Sequence, residues 1–120
     1  MRGLTIIVAE PAPERFRAAL SLAAAQAALG ASARIFCQGM AVTLLRSDLV
    51  VPGDAAQEAA GLPRLGQLLD EALALGVELI ACQSGLHLTG MDAARLDPRM
   101  RTGGFIGLLQ DLGEDRLLFA

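Results

Sequence analysis

The chain contains no lysine, no asparagine, no tryptophan and no tyrosine, and only one histidine, His87. Without lysine there is no Schiff-base chemistry and no phosphate-binding P-loop lysine. Without tyrosine or tryptophan, base stacking would rest on four phenylalanines, and the ten arginines are scattered along a chain of net charge −3. That pattern disfavours a nucleic-acid partner. A Ser-His-Asp site would have to use His87, and no Gly-x-Ser-x-Gly elbow is present. No Gly-x-Gly-x-x-Gly fingerprint for a nucleotide occurs either. Cysteine is scarce: Cys37 and Cys82 are the only two, far apart and without a Cys-x-x-Cys pair. With one histidine they do not make a zinc site or a disulfide scaffold, so no metal and no organic cofactor is expected.

Targeting signals are also missing. The run Leu4–Ala9 is too short for a signal-peptide core and meets Glu10. Ala18–Ala33 is Ala-rich and broken by Ser21, Gln26 and Gly30, so no membrane span is expected. These features point to a cytoplasmic protein.

What the chain has in excess is apolar surface. The residues AVILMFWYC make up 53% of 120 positions before the 13 glycines are added. Typical chains reach roughly 45–50% with glycine included. One small domain, residues 1–120, has limited interior, so part of this surface is expected at an interface between copies.

Periodicity divides the chain into alternating elements. Leu4–Ala9 reads as a buried strand, and Pro13 opens a helix running to about Leu29, with Gly30 as its stop. Ala33–Cys37 is a second strand. Gly39–Leu45 is a short helix or turn, and Ser47–Gly61 a long loop with one helical turn near Ala55–Ala60, whose acids Asp48, Asp54 and Glu58 read as solvated. A helix follows Leu62-Pro63 and stops at Gly76. Val77–Cys82 is a third strand, Gly85–Thr89 a short helix, Gly103–Leu112 a further helix, and Arg116–Phe119 a last strand. The reading is an α/β fold: a three-layer α/β/α sandwich with a parallel-rich sheet of about four to five strands, flavodoxin-like in outline.

Cys82 is the most informative residue. It ends a buried strand and precedes Gln83-Ser84-Gly85. The carboxyl end of a parallel strand is where ligands bind, and the free N–H groups of a following helix favour a negatively charged sulfur.

Several marks together resemble the DsrE/DsrF-like sulfur-relay proteins, which include TusD-type subunits. They are Ala28-Leu29-Gly30, Arg34-Ile35-Phe36 running into Met40–Leu45, Leu73–Val77 leading to Ala81-Cys82-Gln83, Gly90-Met91, and Thr102-Gly103-Gly104-Phe105. The resemblance covers nearly the whole chain. It implies a domain that assembles as trimers or hexamers, with donor and acceptor proteins for sulfur. It also implies that Cys82 accepts sulfane sulfur as a persulfide and passes it on. One departure stands out: TusD-type subunits tend to carry basic residues after the cysteine, whereas this chain has Gln83 to Thr89 without one apart from His87.

Around Cys82, four residues are candidates for auxiliary roles. His87 could reach the sulfur from one helical turn on, although an exposed or interface position is the commoner fate of such a histidine. Gln83 and Ser84 could donate hydrogen bonds, or simply cap the helix. Cys37 also ends a strand on the same sheet edge and could resolve an oxidised sulfur, against its reading as an inert core thiol. Gly103 and Gly104 could hold an anion on backbone N–H groups, against close helix packing. The rival to sulfur transfer is a non-catalytic oligomeric domain for assembly or small-ligand binding.

Overall fold

The computed structural model describes residues 1–120. Five strands form one sheet: β1 (Leu4–Val8), β2 (Ala33–Cys37), β3 (Glu78–Cys82), β4 (Arg101–Gly103) and β5 (Arg116–Phe119). Their order is β4-β3-β2-β1-β5, and every pairing is parallel. The helices are α1 (Pro13–Ala28), α2 (Asp54–Ala59), α3 (Leu65–Ala74), α4 (Gln83–Thr89) and α5 (Phe105–Gln110), with a 3-10 turn over Gly39–Leu45. The order differs from the 2-1-3-4-5 of flavodoxin, because β1 lies between β2 and β5.

The winding follows from connection handedness. Three steps, β1 to β2 to β3 to β4, move the same way across the sheet, and the last crosses back to the far side of β1. Right-handed crossovers then put the returning helix, α5, on the opposite face from α1 and α3. Side chains bear this out. Register places Leu4, Ile6, Ile35, Leu79 and Arg116 on one face, and Thr5, Ile7, Phe36, Ile80 and Cys82 on the other. Arg116 donates to the Gln26 amide oxygen of α1 on the first face, at 3.1 Å. Phe36 meets Phe105 of α5 on the second, with ring centroids 5.0 Å apart. The sandwich is therefore three-layered but uneven: two well-packed helices cover one face and a six-residue helix crosses the other.

A single cluster of 29 buried apolar residues forms the core, centred on Phe16, Leu20, Ile35, Phe36, Leu65 and Leu79. Two polar clusters pin the connections. Asp54 is buried, not solvated as its loop setting suggests. Its carboxylate accepts from the Leu65 N–H at 2.9 Å and the Val51 N–H at 3.2 Å, and Arg17 of α1 stands 3.8 Å away. The Leu65 bond, more than any other cause, holds this carboxyl below the usual Asp range. Asp97 is gripped by the fork of Arg99, at 2.7 Å and 3.0 Å, which lowers its pKa likewise. The Asp97 N–H bonds the Leu45 carbonyl at 3.0 Å, tying the chain before β4 to the end of the 3-10 turn.

Candidate functional site

Cys82 is the last residue of β3 and the N-cap of α4, in extended conformation (φ −66°, ψ 123°). Helix α4 begins at once with Gln83, two residues before the expected start. As in any helix, the N–H groups of its first turn have no acceptor within the helix. Cys82 is 6% exposed and Cys37 0%, and both are free thiols. Gln83 and Ser84 are exposed beside Cys82 at the protein surface.

Gly85 fixes where α4 lies. A Cβ on this residue would collide with the Gly39 carbonyl oxygen and approach Val42 Cγ1 to 2.8 Å. Its backbone is helical, so the requirement is steric: α4 packs directly on the 3-10 turn, and only glycine leaves room. That contact holds the first turn of α4, and with it the Cys82 cap. At the other end Gly90 (φ 64°) supplies the left-handed C-cap.

The other candidate residues are placed as follows. Cys37 pairs in register with Ala81, so Cys82, one residue on, projects to the opposite face of the sheet. The alternation of side chains separates two thiols that end neighbouring strands, and a resolving partnership between them is not what this arrangement provides. Burial pushes the Cys37 thiol up, so it stays protonated. His87 is exposed and lies five residues beyond the cap, about 140° around the helix from Cys82. The helix thus turns the imidazole away from the sulfur. Gly103 is the register partner of Cys82 on β4, and Gly104 is the N-cap of α5 with nothing within 4 Å of where its Cβ would be.

A cavity of about 150 Å³ lies on the Cys82 face, lined by Arg34, Ile80, Arg101, Gly103, Gly104 and Asp111 among others. Ile80 precedes Cys82 by two residues on the same face, so the cavity begins roughly 7 Å from it. Its arginines are already engaged: Arg34 lies 3.6 Å from Asp115 and bonds Thr5, and Arg101 pairs with Glu78. With Asp111 added, the walls are close to neutral and do not select an anion. The larger cavity, about 180 Å³, lies among Arg46, Asp54, Arg64, Asp97 and Arg99 and does not include Cys82. Sequence reasoning missed the buried acids of this second cluster because their partners, Leu65 and Arg99, declare themselves only in three dimensions. No three His, Cys, Asp or Glu side chains are grouped as metal ligands would be, and no helix is long and apolar enough to cross a membrane.

The fold recurs in solved structures. YchN from E. coli superposes with a TM-score of 0.73 at 20% identity, and both chains are covered completely. Protein MTH1491 from Methanobacterium thermoautotrophicum, itself of unknown function, gives 0.76 at 17% identity, again over the full length of both. The sequence has no match among curated proteins. The DsrE/DsrF-like family model matches residues 2–118, and the chain belongs to that family.

Proposed function

We propose that this protein carries sulfur through Cys82. The observation that supports it most is the placement of that thiol: at the end of β3, on the residue in the N-cap position of α4, and the less enclosed of the two cysteines. In the loading step the Cys82 thiolate attacks the outer sulfur of a persulfide donor. A new S–S bond forms to Sγ, the donor's S–S bond breaks, and its electron pair leaves on the donor thiolate. Unloading is the same exchange in reverse sense: an acceptor thiolate takes the outer sulfur and Cys82 leaves as thiolate. No net oxidant or reductant is consumed. The cavity on the same face, lined by Gly103 opposite Cys82 and by Gly107 and Leu108 of α5, offers a small donor, or the end of a donor or acceptor chain, a place to dock near the thiol.

The family membership is in keeping with a cytoplasmic, homo-oligomeric relay protein, a trimer or hexamer, exchanging sulfur with donor and acceptor proteins. The experiment is intact-mass measurement after incubation with a persulfide donor, for wild type, Cys82→Ser and Cys37→Ser. A reducible gain of about 32 Da, one sulfur atom, in wild type and Cys37→Ser but not in Cys82→Ser is expected. Loading that survives Cys82→Ser would sink the reading. The 6% exposure of Cys82 favours a second reading, a non-catalytic assembly or small-ligand domain; no adduct on any form, with any donor, would select it.

A further inference from the structure

We infer that Cys82 takes its sulfur from a small zwitterionic persulfide of the amino-acid type, seated in the cavity between α5 and the sheet. The inference rests on the sulfur-carrying reading above and names the chemical class of its donor. Size sets the first limit. Drug-sized ligands fill roughly 300–1,000 Å³, whereas this cavity measures about 150 Å³. It suits a molecule no larger than an amino acid.

The lining changes character along the strands. At the level of Cys82 it is glycine: Gly103 is the register partner of Cys82 on β4, and Gly104 follows. Glycine adds no side chain at the end where sulfur must pass. Two residues back, Ile80 and Leu108 of α5 are apolar, and Arg101, the register partner of Ile80, brings the first charge. That row lies about 7 Å from the Cys82 row at the rise of a strand. Arg34 is in register with Glu78, two residues further back, and its Nη2 donates to the Asp111 carbonyl at 3.4 Å, which places Asp111 at the same end. An amino-acid persulfide reaches about 6 Å from outer sulfur to carboxylate, of which the S–S bond is about 2 Å. With its sulfur at Cys82, its charged groups fall toward Arg101 and Asp111.

The charges at that end are of both signs and only partly used. Arg101 pairs with Glu78 through Nη1 alone, which leaves Nε and Nη2. Arg34 gives Nε and Nη2 to Thr5, and its Nη1 has no acceptor. The Asp111 carboxylate has no partner within the chain; only its carbonyl accepts, from Arg34. Walls that select neither a bare anion nor a bare cation suit a molecule carrying both charges. Its carboxylate accepts from Arg101 and its ammonium donates to Asp111, each a charge-assisted bond. The Cys82 thiolate then attacks the outer sulfur. The Sγ–S bond forms as the donor's S–S bond breaks, and the electron pair leaves on the amino-acid thiolate, which takes a proton from water.

The test is the rate at which Cys82 gains sulfur from four small persulfides: those of cysteine (both charges), mercaptopropionate (anion only), cysteamine (cation only) and mercaptoethanol (neutral). Each rate is divided by that donor's rate toward a simple free thiol, which removes leaving-group differences. Wild type is expected to favour cysteine persulfide by about tenfold, the worth of one charge-assisted hydrogen bond. Arg101→Gln is expected to lower the cysteine rate to that of cysteamine persulfide, and Asp111→Asn to that of mercaptopropionate persulfide. Both side chains are exposed, and circular dichroism checks the fold of each variant. Equal rates from all four donors, or a cysteine preference that survives both substitutions, would overturn the assignment and leave Cys82 a sulfur carrier. A preference for the anion alone would overturn it as well, and would point to the terminal carboxylate of a donor chain. No loading of Cys82 from any donor would overturn the sulfur reading itself and this inference with it.

Discussion

Replacing Gly85 with alanine tests the steric account of how Cys82 is placed. In a helix interior the change alone would stabilise by up to about 1 kcal/mol, because glycine loses more backbone freedom on folding. Here the added methyl meets the Gly39 carbonyl oxygen and comes within 2.8 Å of Val42 Cγ1. The valine methyl can turn aside, but the carbonyl belongs to the backbone of the 3-10 turn and cannot. Overpacking of this kind costs about 1–3 kcal/mol, and a backbone obstacle places it at the upper end. The net is about 2 kcal/mol of destabilisation, which for a chain of this size lowers Tm by about 8 °C. Because α4 must shift away from the turn, Cys82 should also react faster with a thiol reagent in the folded variant. Gly107→Ala in α5 is the counter-case: nothing lies within 4 Å of its new methyl, so it should gain up to about 1 kcal/mol. Thermal unfolding of the three proteins decides the matter. A Gly85→Ala protein as stable as wild type would refute the reasoning.

Three further outcomes are expected. Asp54→Ala leaves the buried Val51 and Leu65 N–H groups without their acceptor, and should cost roughly 2–4 kcal/mol in urea unfolding; a loss below 0.5 kcal/mol, the scale of an ordinary surface substitution, would contradict the burial argument. Asp54 and Asp97 both have lowered folded-state pKa values, so their contribution is present above about pH 4, the unfolded value, and is lost as pH falls through the lower folded values. Urea midpoints measured on either side of pH 4 should show that loss, and Asp54→Ala should show less of it. Under native conditions a thiol reagent should modify Cys82 well before Cys37, which is fully enclosed and held protonated by burial; equal rates, read by peptide mapping, would contradict the placement of the two thiols.

The main frame of the fold was legible because its signals are local. Apolar runs bounded by Pro13, Gly30 and Gly76 mark β1, α1, β2, α3 and β3, and Arg116–Phe119 appears in the structure with the expected bounds. β4 was not legible. Arg101-Thr102-Gly103 is short, polar and exposed, and becomes a strand only because the edge of β3 is available to it. The helix expected over Gly103–Leu112 accordingly begins later and ends earlier, at Phe105–Gln110. Asp54 misled for a similar reason: its polar loop hides the fact that two backbone donors and an arginine close around it. At the site, Cys82 could be found from the strand-to-helix pattern, and the steric need for Gly85 could not, since Gly39 and Val42 lie more than forty residues earlier. The separation of Cys37 from Cys82 was hidden by register, because one residue's difference in pairing sends a side chain through to the other face.

The central claim is that sulfur resides on Cys82, and the direct measurement is to find it there. Protein incubated with a persulfide donor would be trapped with an alkylating reagent, digested and mapped by tandem mass spectrometry. The account predicts an added sulfur of about 32 Da on the peptide holding Cys82, and an unmodified sulfur on the peptide holding Cys37. Added sulfur confined to Cys37, or absent from both peptides while the donor remains active toward a simple thiol, would contradict it.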